Sequence, residues 1–294
     1  MLSWSDIASQ ISASTGIPFA VQKVANIGGG CISQGYRIES SGQCFFVKTN
    51  SSDNLSMFEA EAAGLQEIYN SRTLRVPVPI CWGRNETSSW LVMEFLEMGN
   101  AGRGSAESLG RGLASMHRFS SETFGWVRAN TIGTTPQINR PSSNWIQFWR
   151  VHRLGYQLEL ALANGYTGKL QSWGERMMAE LDVFFKDTLT APSLLHGDLW
   201  SGNYTFDSAG QPVVFDPAIY YGDREADLAM TELFGGFPAD FYEAYREAYP
   251  LDLGYVIRKD LYNLYHILNH LNLFGGDYLN QAEKVMERLY SEIR

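Results

Sequence analysis

The stretch LLHGDLWSGN, residues 194–203, puts a carboxylate (Asp198) and a carboxamide (Asn203) five positions apart, directly after two leucines. A second carboxylate, Asp216, ends the apolar segment PVVFD. Gly, Asp, Ser and Asn are ordinary turn residues, so the first stretch taken alone reads equally well as a turn. Taken with Asp216, it has the residue types and spacing that phosphoryl transfer requires. Asp198 would orient an attacking hydroxyl and accept its proton, while Asn203 and Asp216 would ligate Mg²⁺ bridging the phosphates of ATP. A strand over PVVFD would present Asp216 at its end, close to the loop that carries Asn203.

Two features upstream extend the set. The segment NIGGGCISQGYRI, residues 26–38, clusters Gly28, Gly29 and Gly30 between strand-like runs. Glycine lets backbone N–H groups approach phosphate oxygens with no Cβ in the way, although such a cluster is also what a tight turn looks like. Lys48 closes the apolar run CFFVK, where an ammonium is unexpected unless it has a partner. On the helix that follows, Glu59 and Glu61 flank opposite edges of the apolar stripe at about 100° per residue, and periodicity cannot choose between them. A lysine held by a carboxylate keeps both its charge and its aim, which suits gripping the α- and β-phosphates of a nucleotide. The Asp-x-x-x-x-Asn interval matches the protein-kinase catalytic loop, with His-Gly-Asp in place of His-Arg-Asp.

These residues need elements to hold them. Residues 3–14 read as a short helix ended by Gly16 and Pro18. Strand-like runs follow over 21–49, two of them joined by the hairpin-suited SGQ. A helix over 54–70 carries Leu55, Phe58, Ala62, Leu65 and Tyr69 on one stripe, and VPVPICWG and SSWLVMEFL read as two further strands. Beyond the polar, Gly-rich NAGRGSAES, helical patterns dominate at 105–119, 142–163, 170–187, 225–235, 239–248, 255–273 and 278–292. The exception is 194–216, where two short β-like segments surround the turn DSAG. The expected organisation is an α+β fold of two lobes. A small antiparallel sheet with one packed helix spans 1–97, and a larger, mainly helical lobe spans 98–294.

Composition narrows the function classes. Hydrophobic residues make up 45% of 294 and charged residues 19%, as in ordinary globular proteins. A net charge of −9 argues against nucleic acid as a main partner. Three cysteines (Cys31, Cys44, Cys81) in no spaced pair suggest a reduced, cytoplasmic setting. The start MLSWSDIASQ lacks the pattern of a secretory signal, and no apolar run is long enough for a membrane span.

The chain resembles the fructosamine kinase (ketosamine 3-kinase) family, within the kinase-like fold shared with aminoglycoside phosphotransferases and choline kinases. The carrying segments include GGGCISQGYRI, FFVK, MFEAEAAGL, VPVPICWG, LVMEFLE, FGWVRANTIGTTPQ, LLHGDLWSGN and FDPAIYYGDREADLAMTELFGGF, which together cover nearly the whole chain. The resemblance implies a two-lobed protein-kinase-like fold with ATP in the crevice between lobes. It implies Lys48 paired with Glu61, Asp198 as base, and Mg²⁺ on Asn203 and Asp216. It makes MEFL the adenine hinge, with Glu94, Phe95 and Leu96 at the nucleotide and the backbone of Glu94 and Leu96 holding the base. The implied acceptor is the C3 hydroxyl of a ketosamine, free or on a glycated protein lysine, acted on by a monomer. Aminoglycoside or choline kinases and a nucleotide-binding pseudokinase are the alternatives. Asp216 is followed by Pro217-Ala218 where protein kinases carry Phe-Gly.

Several residues support two readings. His196 packs under the loop or shares in proton transfer. Trp200 is core or stacks on a sugar face. Asp223 and Asp227 frame a helix start, where capping or loop support is the default; the sharper reading has them attract the protonated amine of a ketosamine. His266 and His270 sit four apart on a helix, the spacing of two metal ligands, without the Glu of H-E-x-x-H or a nearby third ligand. Cys31 lies in the Gly-rich loop, where N–H groups would make its thiol acidic and open to oxidation.

Overall fold

The computed structural model describes residues 2–28, 32–186 and 188–292, so the expectations for Gly29, Gly30 and Cys31 lie outside the described residues. Two compact units emerge: residues 1–109 with 204–217, and 110–203 with 218–294. The expected division into 1–97 and 98–294 is a single cut. The observed one lies at 109/110, and the chain returns to the first unit for 204–217.

In the first unit, helix α1 (Trp4–Thr15) is capped by Ser3, whose Oγ accepts from the Asp6 N–H, and stopped by Gly16 at φ 73°. Strands β1 (Lys23–Gly28), β2 (Gln34–Ser40), β3 (Gln43–Ser51), β4 (Pro79–Arg84) and β5 (Ser88–Glu94) form an antiparallel sheet in the order β1-β2-β3-β5-β4. Side chains alternate along β3: Phe45 and Val47 are buried with Ile7, Ile11, Ile38, Trp90 and Val92, and Lys48 takes the other face. Helix α2 (Leu55–Ser71) packs through Phe58, Ala62, Leu65 and Ile68. The sheet therefore carries two helices where the sequence suggested one. The stripe of α1 is short, so its packing partner was not legible from periodicity.

Gly35 was not singled out from the sequence, yet a Cβ there would meet the Gly28 carbonyl oxygen at 2.3 Å. It is the register partner of Lys48 on β3. The strand pair can close beside the lysine only because that side chain is missing.

The returning segment of the first unit is a hairpin, Tyr204–Asp207 with Pro212–Val214, whose first strand also pairs with Met98–Gly99. Asp207 shapes its turn by accepting the N–H groups of Ala209 and Gln211 on Oδ1, each at 2.9 Å. The turn matches the expected DSAG, and the hairpin's second strand leads to Asp216.

The second unit is mainly helical, with helices at Trp145–Trp149, Tyr156–Ala163, Lys169–Ala179, Glu225–Leu233, Ala239–Ala248, Tyr255–Phe274 and Tyr278–Glu292. The helix expected over 142–163 is interrupted by a π-helical stretch, Arg150–Gly155. Within it the buried Arg153 guanidinium reaches the Ile138 carbonyl and Asn139 Oδ1 and lies 4.0 Å from the Tyr220 ring centroid. A short antiparallel pair joins Ser193–Leu195 to Tyr220–Gly222.

Candidate functional site

In the first unit, Lys48 does have partners. Its Nζ lies 2.6 Å from Glu61 Oε1 and 2.5 Å from Asp216 Oδ1. The lysine and Glu61 side chains are only 13% and 12% exposed, whereas Asp216 is 41% exposed. Burial alone would discharge the ammonium; the Glu61 and Asp216 carboxylates outweigh it and hold the Lys48 pKa above its ordinary value. Burial pushes Glu61 upward, Lys48 pulls it back, and the Asp216 charge adds to the rise. Glu61 rather than Glu59 therefore sits on the sheet side of α2. Asp216 follows the strand Pro212–Val214 with φ 57°, a left-handed conformation that Asp tolerates better than most residues.

In the second unit, Asp198 is half-buried in the loop after the strand Ser193–Leu195. Asn203 closes that loop: its Nδ2 donates to the Asp198 carbonyl at 2.8 Å and to Asp198 Oδ2 at 3.2 Å. Its Oδ1 is the atom suited to a cation. Gly197 has φ 82°, and a Cβ there would stand 2.1 Å from the Ala218 oxygen, so only glycine fits. The Ala218 N–H donates to the His196 carbonyl at 2.9 Å.

Asp227 holds this loop from beneath. It is 1% exposed, accepts the backbone N–H of His196 on Oδ2 (2.7 Å) and of Gly197 on Oδ1 (2.8 Å), and is bonded by His117 Nε2 at 3.1 Å. His117 Nδ1 meets the Tyr245 hydroxyl at 2.8 Å, so the consistent tautomer donates from Nε2. Burial works against the Asp227 charge, but His117 and the loop N–H groups win and keep its carboxyl below the usual range. Asp223, 5% exposed, accepts the Tyr262 hydroxyl at 2.6 Å and the Glu225 N–H at 3.0 Å. Both carboxylates are thus committed inside the unit. The reading in which they attract a substrate amine does not fit, because reaching outward would strand buried donors.

The remaining expected residues are placed as follows. Gly28 ends β1 with φ 88°, its N–H bonded to Asn26 Oδ1 at 2.9 Å. Glu94 ends β5 and donates its N–H to the Val78 carbonyl at 2.8 Å. The Phe95 ring lies under the Arg37 guanidinium at 4.6 Å, and Leu96 is buried. Trp200 is 38% exposed, its ring edge-on to Phe234 at 6.5 Å between centroids. His196 is fully buried and its Nδ1 lies 3.4 Å from the Asp198 N–H, which is the packing role. His117 was missed. A histidine directly after the helix Ser105–Met116 carries no spacing signal, and only its partners reveal it.

Among the described residues no group of three His, Cys, Asp or Glu side chains could hold a metal by itself. Mg²⁺ takes one or two protein ligands and shares the rest with phosphates and water. The half-exposed carboxylate of Asp216 and the carboxamide oxygen of Asn203 are hard oxygen donors of that kind.

His266 is 5% exposed, and burial pushes its imidazole down from 6.5 to about 3. Below pH 6.5 the unfolded chain takes up this proton and the folded chain does not, so stability falls as pH drops from 6.5 toward 3. The expected loss from this group at pH 5 is roughly 2 kcal/mol. His117, His152 and His270 are lowered as well, each first by burial. Thermal melts from pH 7 to 4.5 should show a steep decline that His266→Leu makes shallower. An equal slope in the variant would disprove the assignment.

Comparison with known proteins adds ancestry to this geometry. A family model described as fructosamine kinase matches residues 3–292. A relative from Synechocystis sp., named a probable ketoamine kinase, is 48% identical over 286 residues, 97% of this chain and 96% of the relative. A chloroplastic protein-ribulosamine 3-kinase of Arabidopsis thaliana is 44% identical over 270 residues, 91% of this chain and 82% of the relative. The solved structure of a candidate fructosamine-3-kinase from Haemophilus somnus 129PT matches with a TM-score of 0.89 at 28% identity, covering 97% of each chain. A sheet unit and a helical unit joined in this order make the fold kinase-like, and a match from residue 3 to residue 292 makes this chain a member of the fructosamine kinase family.

Proposed function

We propose that the protein is an ATP-dependent ketosamine 3-kinase, which moves the γ-phosphoryl group of ATP to the C3 hydroxyl of a fructosamine or ribulosamine. The observation that carries this reading is the Lys48–Glu61–Asp216 ion triad, a buried cation aimed by one enclosed carboxylate and shared with one open carboxylate. An ammonium so held suits the α- and β-phosphates. Gly28, Gly29 and Gly30 would cover the phosphates with backbone N–H groups, and Glu94, Phe95 and Leu96 would flank the adenine. The first unit, residues 1–109 with 204–217, thus takes the nucleotide role, and the second, 110–203 with 218–294, the base and acceptor roles.

Asp198 serves as the base. As the C3 oxygen attacks the γ-phosphorus, its proton passes to the Asp198 carboxylate. The bond between the γ-phosphorus and the β–γ bridging oxygen breaks, and ADP leaves with the electron pair. Because the transition state is loose, orienting the hydroxyl matters more than removing its proton. Asp227 keeps Asp198 in place through the His196 and Gly197 N–H groups. Asn203 and Asp216 would hold Mg²⁺, which neutralises charge on the phosphates. Within the second unit, the Ala218 N–H bonds the carbonyl of His196, two residues before Asp198, and so steadies the loop that carries the base. The exposed ring of Trp200, next in the same loop, offers a face for the sugar.

Loss of a proton from C1 of the 3-phosphate gives the 1,2-enaminol, which expels phosphate from C3. Water then hydrolyses the resulting imine, breaking the C1–N bond and freeing the amine, so phosphorylation would undo glycation of free or protein-bound lysine. No helix among the described residues is long and apolar enough to cross a membrane. Cysteine usage favours a reducing setting, and we place a monomeric enzyme in the cytoplasm.

The test incubates the protein with Mg·ATP and fructoselysine, ribuloselysine, choline and kanamycin in parallel, with NMR locating the phosphate. A ketosamine phosphorylated at O3 is the expected product, with kcat/KM at least about tenfold above the other acceptors. Preference for choline or kanamycin would overturn the acceptor; transfer to none would overturn the reaction.

A further inference from the structure

Arg75 lies in the connection between α2 and β4, which no motif covers. Its Nη1 is 2.6 Å from Asp207 Oδ2 and its Nη2 is 3.2 Å from Glu94 Oε1. Its carbonyl accepts the Val214 N–H at 3.0 Å, and its backbone bridges to Val213. One residue therefore touches two elements of the first unit: the end of β5, where the adenine hinge begins, and the strand that runs on to Asp216.

Neither carboxylate partner is incidental. The Asp207 side chain is 8% exposed, and its other oxygen already takes two turn N–H groups, so its place is fixed by the hairpin. Glu94 has its N–H tied to Val78, three residues beyond Arg75. A cavity of about 710 Å³, lined by Leu74, Val76, Val78 and Glu94 among others, opens alongside Arg75. The forked guanidinium adds a side-chain link from the hinge end of β5 to the hairpin, beside the backbone bond from Glu94 to Val78. Arg suits this work and Lys does not, because only a planar fork can bind two carboxylates in fixed directions.

We propose that Arg75 is a positioning residue for nucleotide binding, pinning the hinge end of β5 to the hairpin that delivers Asp216. This rests on the nucleotide reading above and adds the residue that couples its two parts. Removing the pin lets the hinge and Asp216 vary independently, so a nucleotide must spend binding energy on ordering them. The acceptor side of the reaction is left unchanged.

The experiment measures ADP binding by calorimetry, which needs no turnover, together with steady-state kinetics. Arg75→Ala should raise the Kd for ADP and the KM for ATP by the same factor, about five- to tenfold. Ketosamine KM should stay within about twofold. Arg75→Lys should fall between, and adding Asp207→Asn to Arg75→Ala should cost little more, since the two act as one unit. If Arg75→Ala melts too low to assay, Glu94→Gln, which loosens only the hinge arm, should still weaken ADP binding. An unchanged ADP Kd in a folded variant overturns the inference, as does a uniform loss across both substrates. Failure of the parent protein to bind ADP would overturn the nucleotide reading as well.

Discussion

Asp198→Asn is expected to lower kcat by about 100-fold or more, while the protein stays folded and still binds ADP. The substitution keeps the shape and removes the carboxylate proposed as the proton acceptor. Of the two bonds Asn203 makes to this residue, the shorter goes to the backbone carbonyl and survives the change. The loop is also held through the His196 and Gly197 N–H groups by Asp227, which is untouched. Loss of the base should therefore show in turnover rather than in melting temperature or in the KM for ATP. A hundredfold corresponds to about 2.7 kcal/mol of transition-state stabilisation, in the range expected of a positioned base. A variant within about threefold of the parent kcat would move the base elsewhere, and His196 is too buried to take its place.

Lys48→Met should be the most damaging change in the first unit, affecting stability and activity through separate causes. Methionine nearly matches the volume, so packing is not at issue. The cation is lost from between Glu61 and Asp216, which leaves a buried carboxylate without its partner. Breaking such a buried pair costs about 3–5 kcal/mol, less whatever Glu61 recovers by taking a proton. Activity should fall by about 10²- to 10³-fold, the size seen when one preorganised charge is removed from a polar active site. The double variant Lys48→Met/Glu61→Leu separates the two effects. It should regain melting temperature because no orphan charge remains, and it should stay inactive because nothing grips the phosphates. Recovery of activity along with stability would show that the triad is structural only.

Much of this was legible in the residues because it is local. Alternation along β3, the stripe of α2 and the helical periods beyond residue 105 each reflect the packing face of a single element, which fixes the sheet-plus-helices class. Chemistry-bearing residues at short range read equally well: Asp198 and Asn203 share a loop, and Asp216 follows a strand by two residues. The family resemblance followed from the same segments.

Tertiary structure decided which polar groups face inward and toward what. Periodicity left Glu59 and Glu61 equivalent; the sheet made Glu61 the buried partner of Lys48. Asp223 and Asp227 looked as available to a substrate as to the fold, and only burial against Tyr262, His117 and the loop N–H groups assigned them to support. His117 and Arg75 gave no signal in the sequence, because their partners lie far along the chain: Tyr245 for His117, Asp207 for Arg75. Sequence spacing reports neighbours on one strand, helix or loop. Desolvation and ion pairing depend on which distant segments meet, and that is decided only when the chain is folded.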